Sequence, residues 1–128
     1  MVAFIISKRP DEVPRIIERS FLYNQVGKFD LGLKDAERAK SLDQKNVGAI
    51  IARAVSLMGL NRTSEGFEEF DRGLVVDPNN SEIWKRKGDV YVKLGQKEKA
   101  LECYDTALKL WPAYPDANSA KAALMHTP

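Results

Sequence analysis

Ser81–Tyr114 reads SEIWKRKGDVYVKLGQKEKALECYDTALKLWPAY, and the order of large and small residues in it decides how the chain folds. Trp84, Gly88 and Tyr91 follow one another at steps of three and four, as do Ala100, Tyr104 and Ala107. Such steps place residues on one helix face. Gly95 separates the two runs and Pro112 closes the second, so the stretch reads as two amphipathic helices in a hairpin.

The rest of the chain repeats this hairpin. Gln44, Pro78 and Pro112 fall at a constant step of 34 in the numbering. The same step aligns Gly27, Asn61 and Gly95, residue types that tolerate the left-handed conformation ending a helix. Small residues align as Ser20/Ala54/Gly88, Gly32/Gly66/Ala100 and Ala39/Gly73/Ala107. Large ones align as Ile16/Ile50/Trp84, Tyr23/Leu57/Tyr91, Leu33/Phe67/Leu101 and Leu42/Val76/Leu110, and are expected to fill the facing core positions. Each helical glycine costs about 0.8–1 kcal/mol against alanine. Gly32, Gly66, Gly73 and Gly88 are therefore expected where helices approach closely. The period predicts helices over 13–26, 29–42, 47–60, 63–76, 81–94 and 97–110. Pro115-Asp116 opens a further helix, too short to be stable alone and expected to dock on 97–110.

Trp84, Gly88, Tyr91, Ala100, Tyr104 and Pro112 together resemble the tetratricopeptide repeat (TPR), whose signature runs Trp-x2-Leu-Gly-x2-Tyr, Ala-x3-Phe, Pro. Lys87 stands at the Leu position, where Arg19 and Arg53 also align; this resembles the prokaryotic-type variant of the family. The basic row can hold a phosphate or carboxylate, or pack its stems between helices with the charges turned outward. The resemblance implies an all-α fold, a right-handed superhelical solenoid of antiparallel helix pairs. The expected division is an N-terminal apolar segment (1–12), repeats at 13–46, 47–80 and 81–114, and a capping helix and tail (115–128).

Composition excludes several functions. Twenty basic residues against 18 acidic ones leave a net charge of +2, so no global field or basic tail draws in nucleic acid. One cysteine, Cys103, and one histidine, His126, make neither a disulfide nor a zinc site. Cys103 is expected buried, His126 solvated. There is no phosphate loop or nucleophile elbow, and Glu68/Glu69 and Glu98/Glu102 read as solvated helix faces, so neither an enzyme nor a cofactor is expected. No apolar run is long enough for a membrane span and no secretion signal is evident. Asn61-Arg62-Thr63 is explained by the turn and not as a glycosylation site, and a cytoplasmic protein is expected.

The resemblance implies a protein-interaction scaffold whose first helices line a concave groove for a partner's peptide or helix. A third of a turn from the core stripe stand Ile17, Phe21 and Asn24 in the first repeat, Ile51, Val55 and Met58 in the second, and Lys85, Asp89 and Val92 with neighbouring Arg86 in the third. The expected partner carries apolar anchors. At the positions of the family's clamp for chaperone C-terminal tails stand Ile17, Phe21, Ala52, Glu82 and Arg86; only Arg86 matches, so such tails are not expected as ligands. Alternatively Val2–Ile6, from the same chain or a neighbour, fills the groove and makes a homo-oligomeric assembly module, or the chain packs on other domains of a longer protein. Against all three, Ile17, Ile51 and Val55 can simply complete packing between repeats.

Overall fold

In the computed structural model, which describes residues 12–126, the alternation of large and small residues becomes helix after helix. They are α1 (Glu12–Gln25), α2 (Phe29–Leu42), α3 (Val47–Gly59), α4 (Thr63–Val76), α5 (Ser81–Lys93), α6 (Lys97–Leu110) and α7 (Pro115–Met125). The first six lie within one residue of their expected bounds, and no strand occurs among the described residues. Val2–Ile6 lies outside those residues.

Turn chemistry sets these bounds. Gly27, Asn61 and Gly95 have φ of 79°, 63° and 75°, the left-handed conformation expected at all three. In each turn the next amide reaches back past the helix end: Lys28 to the Tyr23 carbonyl, Arg62 to Leu57 and Gln96 to Tyr91, each at 2.9 Å. This satisfies carbonyls that a helix end otherwise leaves open. Between repeats, asparagine starts the helix. The Asn46 side chain accepts from the Ala49 amide and Asn80 from Ile83, while their Nδ2 groups donate to Asp43 and Asp77. At the start of α7 Tyr114 takes this place with no side-chain cap, and Asp116 lies in the first turn.

The chain divides after Arg72 into two compact units. In the first, Ile16, Ala39 and Ala49 bring α1, α2 and α3 together, with Val13 and Ile17 packed against them. Small residues permit this closeness: a methyl group on Gly32 would strike the Asn24 side chain, and one on Gly66 the Met58 thioether. Gly59, which shares no repeat pattern, is covered by the Phe29 ring. A buried polar seam crosses this packing. Ser20 Oγ donates to the Gly32 carbonyl at 2.7 Å, and Ser56 Oγ lies 2.9 Å from Asn24 Oδ1 and 3.0 Å from the Ala52 carbonyl.

In the second unit Ala100, Tyr104 and Leu124 form one cluster with Tyr91, Leu101 and Ala120, while Ala107, Tyr114 and Ala117 form another with Trp84 and Leu108. Helix α7 thus docks on α6 through Ala117 and Leu124, as its length required. A methyl group on Gly88 would meet the buried Tyr104 ring. Cys103 is buried and His126 exposed, both as expected.

Two expectations fail. Leu42, Val76 and Leu110 were assigned to the core but are 43%, 38% and 38% exposed. Each is the last residue of its helix, where the facing helix no longer covers it. Glu69, read as solvated, is only 3% exposed; Lys40 and Arg53, brought against it by the folding of α2 and α3, shield its carboxylate from water.

Candidate functional site

The residues expected on the first-helix face fall into two groups. In the first unit Ile17 and Phe21 on α1, and Val55 and Met58 on α3, remain half-buried after the hairpins have packed. Ile17 turns its methyl groups toward Gly48 at the start of α3, and Met58 lies across Gly66 on α4, so each is partly committed to packing. Asn24 and Ile51 offer little surface, being 8% and 3% exposed. The Asn24 amide oxygen is held by Ser56. Its position over Gly32 explains the burial: a glycine on the facing helix leaves room that the side chain fills.

In the second unit α5 carries Lys85, Arg86 and Asp89, all half-buried. Lys85 Nζ binds Asp89 at 2.7 Å and Arg86 binds Glu82 at 2.8 Å, both one helical turn apart. Asp89 also accepts from the Tyr104 hydroxyl at 2.6 Å. Burial, followed by this bond to a carboxylate, pushes the Tyr104 phenol above its ordinary range. The charges here are therefore held in place within the helix pair.

The basic row resolves differently in each hairpin. Arg19 makes a two-pronged bond to Asp35, 2.8 Å for each nitrogen. The carboxylate raises the guanidinium further above its already high value, mainly through that hydrogen bond. Arg53 lies 3.4 Å from both Glu37 and Glu69. Lys87 stands over the Trp84 ring, 4.8 Å from its centroid. Glu69 gathers further cations, with Lys40 Nζ at 3.0 Å and Arg72 at 3.4 Å. None of the sequence motifs pointed to Glu69, yet complementary charges at one fixed spacing, Arg19 with Asp35 and Arg53 with Glu69, were open to reading.

Antiparallel helix pairs at a period of 34, with small residues under large ones and a left-handed turn in each pair, define a helical-repeat protein. Residues 81–114 match the family model described as tetratricopeptide repeat. A TPR repeat-containing protein of Methanocaldococcus jannaschii is 34% identical over 85 residues, covering 64% of this chain and 25% of that protein. The first TPR of Spaghetti (RPAP3), solved bound to the HSP90 peptide SRMEEVD, superposes with a TM-score of 0.73 at 17% identity, covering 91% of this chain and 93% of that one. The Yersinia enterocolitica type III secretion chaperone SycD, solved with a peptide of the translocator YopD, gives 0.73 at 14% identity and coverages of 91% and 89%. The chain thus carries a tetratricopeptide repeat at residues 81–114, and its fold is the all-α solenoid of solved tetratricopeptide repeat structures. It spans about a quarter or less of the curated relatives it matches. No helix among the described residues is long and apolar enough to cross a membrane.

Proposed function

We propose that the chain is a protein-interaction module that takes a peptide or helix of a partner on the first-helix face of its repeats. The observation that carries this reading is the apolar surface left on α1 and α3. Ile17, Phe21, Val55 and Met58 stay half-buried although the core positions beside them, Ile16, Ile50 and Leu57, are filled. An apolar stripe at helical spacing suits a partner whose anchors recur every three to four residues. On α5, in the other unit, the matching face presents Lys85, Arg86 and Asp89, which suit polar groups of a ligand. Two structures of this fold hold peptides, which supports the same use of the fold here.

Random peptides displayed on phage and selected against the immobilised chain test the reading. Enriched peptides are expected to carry apolar anchors and to bind Phe21→Glu and Val55→Glu about tenfold or more weakly, with helical circular dichroism unchanged. Peptides that bind both variants as well as the parent chain would place the site elsewhere. Unfolding of Phe21→Glu would make Phe21 a core residue.

A further inference from the structure

The junction between α2 and α4 departs from the pattern that the repeats otherwise keep. A single cation, Arg19, answers the buried Asp35 of the first hairpin. Three meet on Glu69: Lys40 at 3.0 Å, with Arg53 and Arg72 each at 3.4 Å. Lys40 stands where the later repeats have Leu74 and Leu108, and Gln44 where they have Pro78 and Pro112. Beside these residues opens a cleft of about 410 Å³ lined by Glu37, Lys40, Ser41, Gln44 and Arg72. Three of its polar groups are already engaged. Glu37 meets Arg53 at 3.4 Å, Ser41 Oγ donates to the Arg38 carbonyl at 2.7 Å, and Lys40 Nζ bonds both Glu69 oxygens. Arg72 touches Glu69 only through Nε, at a distance long for a hydrogen bond, and its side chain is 59% exposed. Neither the Arg72 guanidinium nor the Gln44 amide has a hydrogen-bond partner among the described residues.

We propose that this cleft binds a carboxylate supplied by a ligand. The Arg72 guanidinium, a planar fork of donors, takes the two oxygens through charge-assisted hydrogen bonds. The Gln44 amide donates a third bond, and Lys40 adds positive charge beside them. Lys40, Arg53 and Arg72 outnumber Glu37 and Glu69 by one, and the nearby Arg62–Glu65 pair, 2.6 Å apart, adds no net charge. That surplus matches a monoanion. The carboxylate belongs either to an acidic side chain of a partner peptide or to a free small acid. The site lies on α2 and α4 and holds whatever the α1 and α3 face binds.

The test uses two probes on the full chain at low salt, where such contacts are least screened: sodium acetate, and acetyl-Ala-Glu-Ala-amide, whose only charge is its side-chain carboxylate. The readouts are the Gln44 side-chain amide and Arg72 Nε–H resonances, identified by their loss in Gln44→Pro and Arg72→Gln. A saturable shift of both is expected with at least one probe, and the tighter probe identifies the source. Arg72→Gln, followed on Gln44, is expected to weaken binding about tenfold or more. Gln44→Pro installs the residue of the later repeats and, followed on Arg72, is expected to weaken it about threefold. Glu37→Gln is expected to tighten it about threefold, a gain that lost folding does not produce. The proposal is overturned if neither probe shifts these resonances up to its solubility limit, or if acetamide or acetyl-Ala-Gln-Ala-amide binds as well as its charged counterpart. It is overturned too if inorganic phosphate binds and neither carboxylate does. Undiminished binding by Arg72→Gln overturns it equally, and that side chain is exposed enough for its loss to leave the fold intact.

Discussion

Replacing Glu69 by glutamine removes one charge and almost no volume, and its cost follows from who is left behind. The carboxylate, 3% exposed, accepts from Lys40 Nζ at 3.0 and 3.1 Å, with Arg53 and Arg72 each at 3.4 Å. Arg53 keeps Glu37 at 3.4 Å, and the Arg72 side chain is 59% exposed, so water replaces much of its loss. Lys40 is the exposed weakness: its side chain is only 17% accessible. A hydrogen bond to a charged group contributes about 1.5–3 kcal/mol, and breaking a fully buried ion pair costs about 3–5 kcal/mol. Lys40 retains some water and the oxygen of the introduced amide as an acceptor, which sets the expected loss at about 2 kcal/mol. For a domain of this size that lowers the melting temperature by about 5–10 °C. The assay is thermal unfolding followed by far-UV circular dichroism, with Lys40→Met made in both backgrounds. The two losses are expected to fall short of additive by about 1–2 kcal/mol, because each variant breaks the same pair. Additive losses, or a Glu69→Gln variant that melts with the parent, would refute the reasoning.

Three further outcomes are expected. Gly88→Ala destabilises by about 1–2 kcal/mol net of its helix-propensity gain, because the Tyr104 ring is buried and held by Asp89; Gly66→Ala is neutral or stabilising, because the flexible Met58 side chain can withdraw, and chemical denaturation separates the two. Tyr104→Phe flattens the alkaline limb of the stability profile: the folded phenol's pKa is raised, so its contribution is full below the unfolded value of about 10 and is lost as pH rises through the folded value, which urea midpoints across that range read out. Gly95→Ala costs about 1 kcal/mol at φ 75°, whereas Asn61→Gly at φ 63° raises stability by less than that; equal effects of both in thermal melts would show that turn strain is not what they report.

How much of this was legible in the sequence depended on whether a feature recurs. The helices and left-handed turns recur in every repeat, so Gly27, Asn61 and Gly95 could be assigned before any coordinate was known. Phe29 over Gly59 does not recur: the matching positions to Gly59 are Gln25 and Lys93, and no alignment draws attention to it. Leu42, Val76 and Leu110 show the opposite error, since their recurrence is real but marks a shared position at a helix end, where burial is partial. Of the first-helix face, the apolar character was legible. Which members stay accessible was not, because the burial of Asn24 and Ile51 depends on what the neighbouring helices put opposite them, such as Gly32 and Ser56. Glu69 was misjudged for the same reason: Lys40, which helps bury it, is distant in the chain and belongs to a different repeat.

The charges that replace leucine in the repeat signature have a structural consequence beyond their modest energy. Apolar ridges between helices are nearly self-similar after one helical turn, so a hydrophobic seam alone discriminates weakly against a slipped pairing. Asp35 is 6% exposed and Glu69 3%, so sliding α2 or α4 by a turn would strip a buried carboxylate of its cation. The cost of leaving a buried carboxylate without its cation falls on the wrong registers and not on the right one. The glycines act in the same direction. Tyr104 fits only over Gly88 and Asn24 only over Gly32, so a shifted pairing would set each against a residue with a side chain. In the first two hairpins ion pairs and small residues together select the register. In the third the acid is replaced by Cys103, and selection rests on the Gly88–Tyr104 contact with the Tyr104–Asp89 bond. Gly88→Ala therefore threatens alignment as well as packing, because the residue that lets the Tyr104 ring approach is also the one that fixes where along α5 it can sit.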